Sequence, residues 1–291
     1  RYFMKLLHLS DLHLGKRVNE VSILDDQNYI LHQILEITDA EHPDAVVIAG
    51  DVYDKSVPSG EAITLFDWFL VALAKRSIPV LLISGNHDSA ERLSFGSSLF
   101  TAEGIHIAPV FEGNMEKVSL WDDAGEVCVY LLPFIKPSTV RRFYEEDLTD
   151  YTKTVQTVIE HTPVDTSKRN VLVAHQFVTG AGRCDSEEVS VGGLDNVDAS
   201  VFEPFDYVAL GHIHKPQILI RDQAAFSGAL EPIDRNDTGE HGYMEGRVVN
   251  GRIRTEFVPF ACRSYQQLVM PLHEETTQIS LEEAVKSQIF R

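Results

Sequence analysis

The sequence predicts an α/β protein, and three observations carry that expectation. Over the first two hundred residues, short apolar runs alternate with stretches of helical period, the pattern of strands joined through crossover helices. After Gly211 the pattern turns all-β, and "GRVVNGRIRTEFVPF" sets Asn250-Gly251 between two alternating runs, a strong hairpin signal. Several apolar runs also break off into polar clusters of Asp, Asn, His and Gly, and α/β sheets gather their functional groups at the carboxyl ends of strands.

In chain order, strands are expected at Lys5–Ser10, Ala45–Ala49, Pro79–Ser84, Val127–Phe134, Asn170–Ala174 and Tyr207–Leu210. Amphipathic helices are expected near Asp26–Glu41, Glu61–Arg76 and Leu148–His161. The helix at Glu61–Arg76 is apolar around most of its circumference, which fits either burial under a loop or a subunit interface. From about Arg263 a new strand, "SYQQLVMPL", and a helix from Ser280 read as the start of a second module that stops at Arg291. Arg1-Tyr2-Phe3 precede a Met and read as an addition ahead of the natural start.

Composition narrows the class. With 44% hydrophobic and 24% charged residues over 291, the chain reads as soluble and globular, and no apolar run reaches the ~18 residues of a membrane span. Cys128, Cys184 and Cys262 form no CxxC pair, which argues against a disulfide framework or thiolate zinc and fits a reducing cytoplasm. The net charge of −19 disfavours nucleic acid, since phosphate binding draws on Lys and Arg, but it equally fits an acidic metal site on a well-solvated surface.

Five strand ends carry the chemistry. "SDLH" offers Asp11 and His13, "AGDVYD" offers Asp51 and Asp54, and "GNHD" offers Asn86, His87 and Asp88. "AHQ" offers His175, and "GHIH" offers His212 and His214. The i, i+2 spacing of Asp11/His13 and His212/His214 puts both members of a pair on one side of an extended chain. Carboxylate, amide and imidazole donors without thiolate suit Mn²⁺, Fe or Zn²⁺, and seven donors are about right for two ions that share a carboxylate. Two such ions ~3.5–4 Å apart can clamp the attacking and leaving oxygens of a displacement at phosphorus. Seven further histidines (8, 32, 42, 106, 161, 241 and 273) sit in no such constellation and read as ordinary.

The set DxH, GDxxD, GNHD, AH and GHIH resembles the calcineurin-like metallophosphoesterase superfamily. Within it, "LHLSDLHLGKR", "VAHQFVTGA", "SVGGLDNV" and "FDYVALGHIHKPQ" resemble the SbcD-type nuclease subunits of bacterial double-strand-break repair. The resemblance runs from Met4 to about Cys262, so it implies a nuclease domain at 4–262 and the start of a capping domain at 263–291. It also implies a four-layer fold, a two-sheet β-sandwich flanked by helices, in place of an open doubly wound sheet.

By that resemblance, Asp11, His13, Asp51 and His214 would hold one divalent cation, and Asp51, Asn86, His175 and His212 the other. The ions would be Mn²⁺, with Fe or Zn as alternatives. His87 would protonate the leaving oxygen as a catalytic acid, with Asp88 orienting its ring and raising its pKa. Asp54 would support the site without ligating. Lys16, Arg17, Arg92 and Lys215 flank the ligands and would either meet DNA phosphates or stand as ordinary solvated charges. The implied protein is a cytoplasmic, Mn²⁺-dependent DNA nuclease, exonuclease on duplex ends and endonuclease on single strands or hairpins. It would act as a homodimer, through the region of Glu61–Arg76, with an SbcC-type coiled-coil ATPase and without a membrane. Two other readings stay open: a phosphoesterase on a small diester or a phosphoprotein, which the acidity favours, and a non-catalytic scaffold.

Overall fold

The computed structural model describes residues 3–182, 195–220, 223–234, 236–249, 252–263 and 277–289. β1 (Met4–Leu9) leads to a small hairpin, β2 (Arg17–Val18) and β3 (Val21–Ser22), then to α1 (Leu24–Glu41) and β4 (Ala45–Ala49). α2 (Gly60–Lys75) returns the chain to β5 (Val80–Ile83), and two short helices, α3 (Ala90–Leu93) and α4 (Ser97–Phe100), precede β6 (Ile105–Ala108). The second half runs β7 (Glu116–Asp122), β8 (Gly125–Leu132), α5 (Pro137–Val140), α6 (Tyr151–Glu160) and β9 (Arg169–His175). It continues through β10 (Tyr207–Gly211), β11 (Gln217–Ile220), β12 (Ala224–Phe226), β13 (Gly242–Val249), β14 (Arg252–Pro259) and α7 (Gln278–Ile289).

These strands form two six-stranded sheets, ordered β14-β13-β1-β4-β5-β6 and β11-β12-β10-β9-β8-β7. In each, the central strands run parallel and the flanking hairpin strands antiparallel. Alternation along a strand explains the layers. Leu7 and Leu9 of β1 and Val46 and Ile48 of β4 pack with Ile30, Leu31, Phe66 and Phe69 of α1 and α2. Met4, Leu6, Val47 and Ala49 face the other sheet and meet Val171, Val173 and Ala209 there. Leu172 and Leu210 point outward to Val155 and Val158 of α6. Helix, sheet, sheet, helix is the four-layer sandwich that the motifs implied, and burial on both faces explains the nearly unbroken apolar strands.

The expected strands and helices are present with ends moved by a few residues. β6, β7, β11 and β12 had no counterpart, being short or polar on one face. The hairpin signal is met by strands paired from Val249↔Arg252 to Gly242↔Pro259, while Asn250-Gly251 itself lies outside the described residues. So does the strand expected over "SYQQLVMPL"; the helix expected after it is α7. Among the described helices none is long and apolar enough to cross a membrane. α2 buries Phe66, Phe69, Leu70 and Leu73 but leaves Ile63 and Val71 exposed, and Trp68 stacks on His32 of α1 at 4.3 Å.

One polar pair crosses the apolar layer between the sheets. His8, fully buried on β1, donates from Nε2 to the Leu210 carbonyl at 3.1 Å, and its Nδ1 accepts from the Tyr207 hydroxyl at 2.9 Å. Burial lowers its pKa to about 3, so it stays neutral and can both donate and accept. Tyr207→Phe is expected to strand Nδ1 without a donor and to cost about 1–3 kcal/mol in a denaturant melt.

A second buried polar group has one oxygen without a partner. Glu231 is 5% exposed and its Oε1 makes no hydrogen bond; burial first, then the Asp26 charge, raises its pKa to about 8. Between roughly pH 4.5 and 8 the unfolded chain has released this proton and the folded chain has not, so the group makes stability fall as pH rises. Glu231→Gln is therefore expected to raise the denaturation midpoint at pH 8 and to leave it unchanged near pH 4.

Candidate metal centre

β1, β4 and β5 of one sheet and β9 and β10 of the other end side by side, and each ending supplies part of one cluster. Backbone bonds hold the first two loops together: Asp11 donates to Gly50 O, His13 to Asp51 O and Leu14 to Val52 O, all at 2.9–3.0 Å. Bonds across the sheets lock the rest. The His212 N–H donates to both carboxylate oxygens of Asp11 (3.1 and 3.2 Å), and His175 Nδ1 donates to Ala49 O at 2.7 Å.

The loops are bent tightly. Of the eight described non-glycine residues with positive φ, four are Asp11 (51°), His13 (43°), Asp51 (51°) and His212 (99°), and such conformations persist only where surroundings enforce them. Close approach also demands glycine. A Cβ on Gly85 would overlap the Asp51 carboxylate, and one on Gly211 would strike the Ala49 carbonyl.

All seven expected ligands converge. Asp11, His13 and His214 form one group of facing donor atoms, and Asp11, Asp51 and His175 another. Within them His13 Nε2 lies 3.1 Å from His214 Nε2, and Asn86 Oδ1 lies 3.0 Å from His175 Nε2 and 2.9 Å from His212 Nδ1. Asp51 Oδ2 sits 3.4 Å from His175 Nε2 and 3.7 Å from His13 Nε2, between the two sets.

The pairing suits cations. With its Nδ1–H committed to Ala49, His175 aims Nε2 at the amide oxygen of Asn86, an atom that only accepts. His13 and His214 likewise aim nitrogen at nitrogen, and His13 Nδ1 has no hydrogen-bond partner. A cation between such atoms satisfies both sides. The hard and borderline donor set, without thiolate, fits a dinuclear divalent metal site.

Electrostatics point the same way. Burial, and after it the neighbouring Asp51, raises Asp11 to about 7 against the pull of His175. Burial also works to raise Asp51, but His175, His13 and His87 outweigh it and hold that carboxyl well below the usual range. Burial works to lower His175, yet Asp51 and Asp11 lift it to about 9. Burial lowers His13 to about 4 and holds His214 well below its ordinary value. Each buried carboxylate thus calls for positive charge beside it.

The neighbours of His87 differ from expectation. Its ring lies 4.9 Å from that of His13, edge to face, with Nε2 4.0 Å from Asp51 Oδ2 and Nδ1 donating to the Asp54 carbonyl at 3.1 Å. Asp88 does not orient it. The Asp88 carboxylate accepts instead from the backbone N–H groups of Gly85, Val52 and Tyr53 (2.9–3.1 Å), so it ties the β4 and β5 loops together. Burial and Asp51 raise its pKa to about 6. The sequence offered the right neighbour and the wrong partner, because three backbone N–H groups take up the Asp88 carboxylate and the Asp54 carbonyl takes up His87 Nδ1. Asp54, expected only in support, groups with His13 and His87.

Of the four basic residues, Lys16 reaches the rim through a 3.0 Å ion pair with Asp54. Arg17 donates to the Glu20 carbonyl within its own hairpin. Arg92 is exposed on α3 beside Phe95, and Lys215 is exposed next to His214. Sequence reasoning missed Gln27. Buried on α1, its amide donates to Leu12 O and His13 O (3.2 and 2.9 Å) and accepts from the Gly15 N–H (2.9 Å), fixing the turn that holds His13. Its signal was a glutamine in the apolar phase of Ile30, Leu31 and Ile34.

A family model for calcineurin-like phosphoesterases matches residues 4–216. The chain is 33% identical over 285 residues to the SbcD subunit of the nuclease SbcCD from Staphylococcus saprophyticus, a match that covers 96% of this chain and 75% of that protein. Two solved structures share the fold. One is GAP50, the anchor in the inner membrane complex of Plasmodium, at 10% identity and TM-score 0.51, over 98% of this chain and 95% of that one. The other is a dimetal phosphatase from Danio rerio, at 14% and 0.50, over 89% and 99%.

Gly85→Ala drives a methyl into the Asp51 carboxylate, so the variant is expected to bind fewer than two Mn²⁺ per chain by calorimetry while keeping its far-UV spectrum.

Proposed function

The chain belongs to the calcineurin-like phosphoesterases and, within them, to the SbcD-type nuclease subunits, and we propose that it is a dinuclear, Mn²⁺-dependent DNA nuclease. It would trim duplex ends and cut single strands or hairpins, working within an SbcC-type ATPase complex. The observation that carries this reading is the pair of facing ligand sets with Asp51 between them.

In the reading, Asp11, His13, Asp51 and His214 hold one cation and Asp51, Asn86, His175 and His212 the other. Bound there, the two ions would polarise the phosphoryl oxygens and acidify an attacking water. The chain's own residues supply the rest. His175 and Gln27 fix ligand geometry through backbone carbonyls, and Asp88 holds two ligand loops at one spacing. His87, anchored by Nδ1–H on Asp54 O and 21% exposed, presents Nε2–H toward the oxygen that departs. Lys16 and Lys215 meet flanking phosphates at the rim. Residues 4–262 would be the catalytic domain and 263–291 the start of a cap. The exposed Ile63 and Val71 of α2, with the exposed Phe95 lining one pocket beside Ile63, support homodimer contacts through that helix.

The net charge of −19 favours the alternative, hydrolysis of a small phosphodiester or a phosphoprotein. Labelled single-stranded and hairpin DNA with Mn²⁺ separates the two. The wild type is expected to cleave, and His87→Ala to lose about 10²–10⁴-fold in turnover with two metals still bound. Intact DNA beside hydrolysis of a small chromogenic diester would transfer the assignment to the alternative.

A further inference from the structure

The end of β8 brings one aromatic ring to the edge of the metal centre, and no ligand role uses it. Phe134 is half-buried, with its centroid 6.2 Å from the His175 ring and 6.5 Å from His212, nearly parallel to the latter at 15°. Lys136, exposed on the surface, holds its ammonium over the ring at 5.7 Å. An aromatic face beside a phosphate-cutting centre, with a lysine within reach, has the chemistry of a nucleotide: a π-surface for the base and a cation for the phosphate.

The segment is also rigid where it must be. The Phe134 N–H donates to Ser84 O at 3.0 Å, in the loop that carries Asn86, and the Ile135 carbonyl accepts from Gln176 Nε2 at 3.2 Å, beside His175. Ile135 is fully buried, and Pro133 and Pro137 restrict the backbone on either side. The ring is thereby fixed relative to two of the five ligand loops, while the lysine that covers it is free to leave. Stacking of this kind tolerates any base, because every base has a π-face.

Resting on the nuclease reading above, we propose that Phe134 and Lys136 form a nucleotide subsite. The ring stacks on the base beside the scissile phosphodiester, and the base displaces the ammonium, which pairs with the adjacent phosphate. This also gives an acidic chain a grip on single strands that depends little on net charge.

The test uses the Mn²⁺-loaded chain and a single-stranded oligonucleotide with one abasic position, cleavage being mapped link by link on a gel. The wild type is expected to cut the links flanking the abasic nucleotide on the order of tenfold more slowly than remote links, the size of one lost stack. Phe134→Leu should cut all links alike, and Phe134→Tyr, which keeps a ring, should restore the bias. On rapid mixing, a 2-aminopurine oligonucleotide should be quenched by the wild type and the Tyr variant and remain bright with Phe134→Leu. Wild-type cleavage without the abasic bias, or a bias that survives in Phe134→Leu, would overturn the subsite and leave the nuclease standing. Hydrolysis of a small diester with no DNA cleavage at all would overturn both.

Discussion

The docking of the two sheets along one common edge is the constraint on which everything else depends. Neither sheet owns a complete site. Asp11, His13, Asp51 and Asn86 come from one, His175, His212 and His214 from the other, and the bonds from His212 N–H to Asp11 and from His175 Nδ1 to Ala49 O join them. The inter-sheet layer fixes their relative slide through close packing of Val47, Ala49, Val173 and Ala209 and through the polar bridge at His8.

Charge gives the edge its chemistry. Two carboxylates, Asp11 and Asp51, are buried almost without exposure, and among the described residues neither pairs with a lysine or arginine. What balances them is a ring of imidazoles, and the outcome is uneven: Asp11 holds its proton toward neutrality, while Asp51 gives its own up. A pair of divalent ions would replace shared protons with fixed positive charge, which is why the same residues would be a poor structural core and suit a phosphoesterase centre.

Much of this was legible in the chain. The five strand-end motifs named all seven residues whose donor atoms the fold brings together, because a residue's identity and its spacing from a β-strand are both local facts. The parallel strands β1, β4, β5, β8, β9 and β10 were visible for the same reason, as apolar runs of β-formers, whereas the short parallel strands β6 and β12 were not. What escaped was relational. Asp88 follows His87 directly, yet two of its three hydrogen bonds come from Val52 and Tyr53, more than thirty residues earlier. Gln27 shows only as a polar interruption of a helical stripe, with nothing local to say that it grips Leu12 and His13. The edge strand β7 failed for another reason: its burial alternates through Val118 and Leu120, but the exposed Trp121 breaks the apolar–polar alternation in the sequence.

The carboxylate of Asp11 accepts from the backbone of His212, two hundred and one residues further on. Closing so long a loop carries an entropic cost, and the residues at each end have no local partner that could assemble the site before it closes. Each proposed metal site takes one ligand from the far end of that loop, His214 in one and His212 in the other. A chain emerging from the ribosome therefore lacks part of both proposed sites until the residues after β10 have been made. In a phosphoesterase of this family, long-range closure acts as an interlock written into the topology.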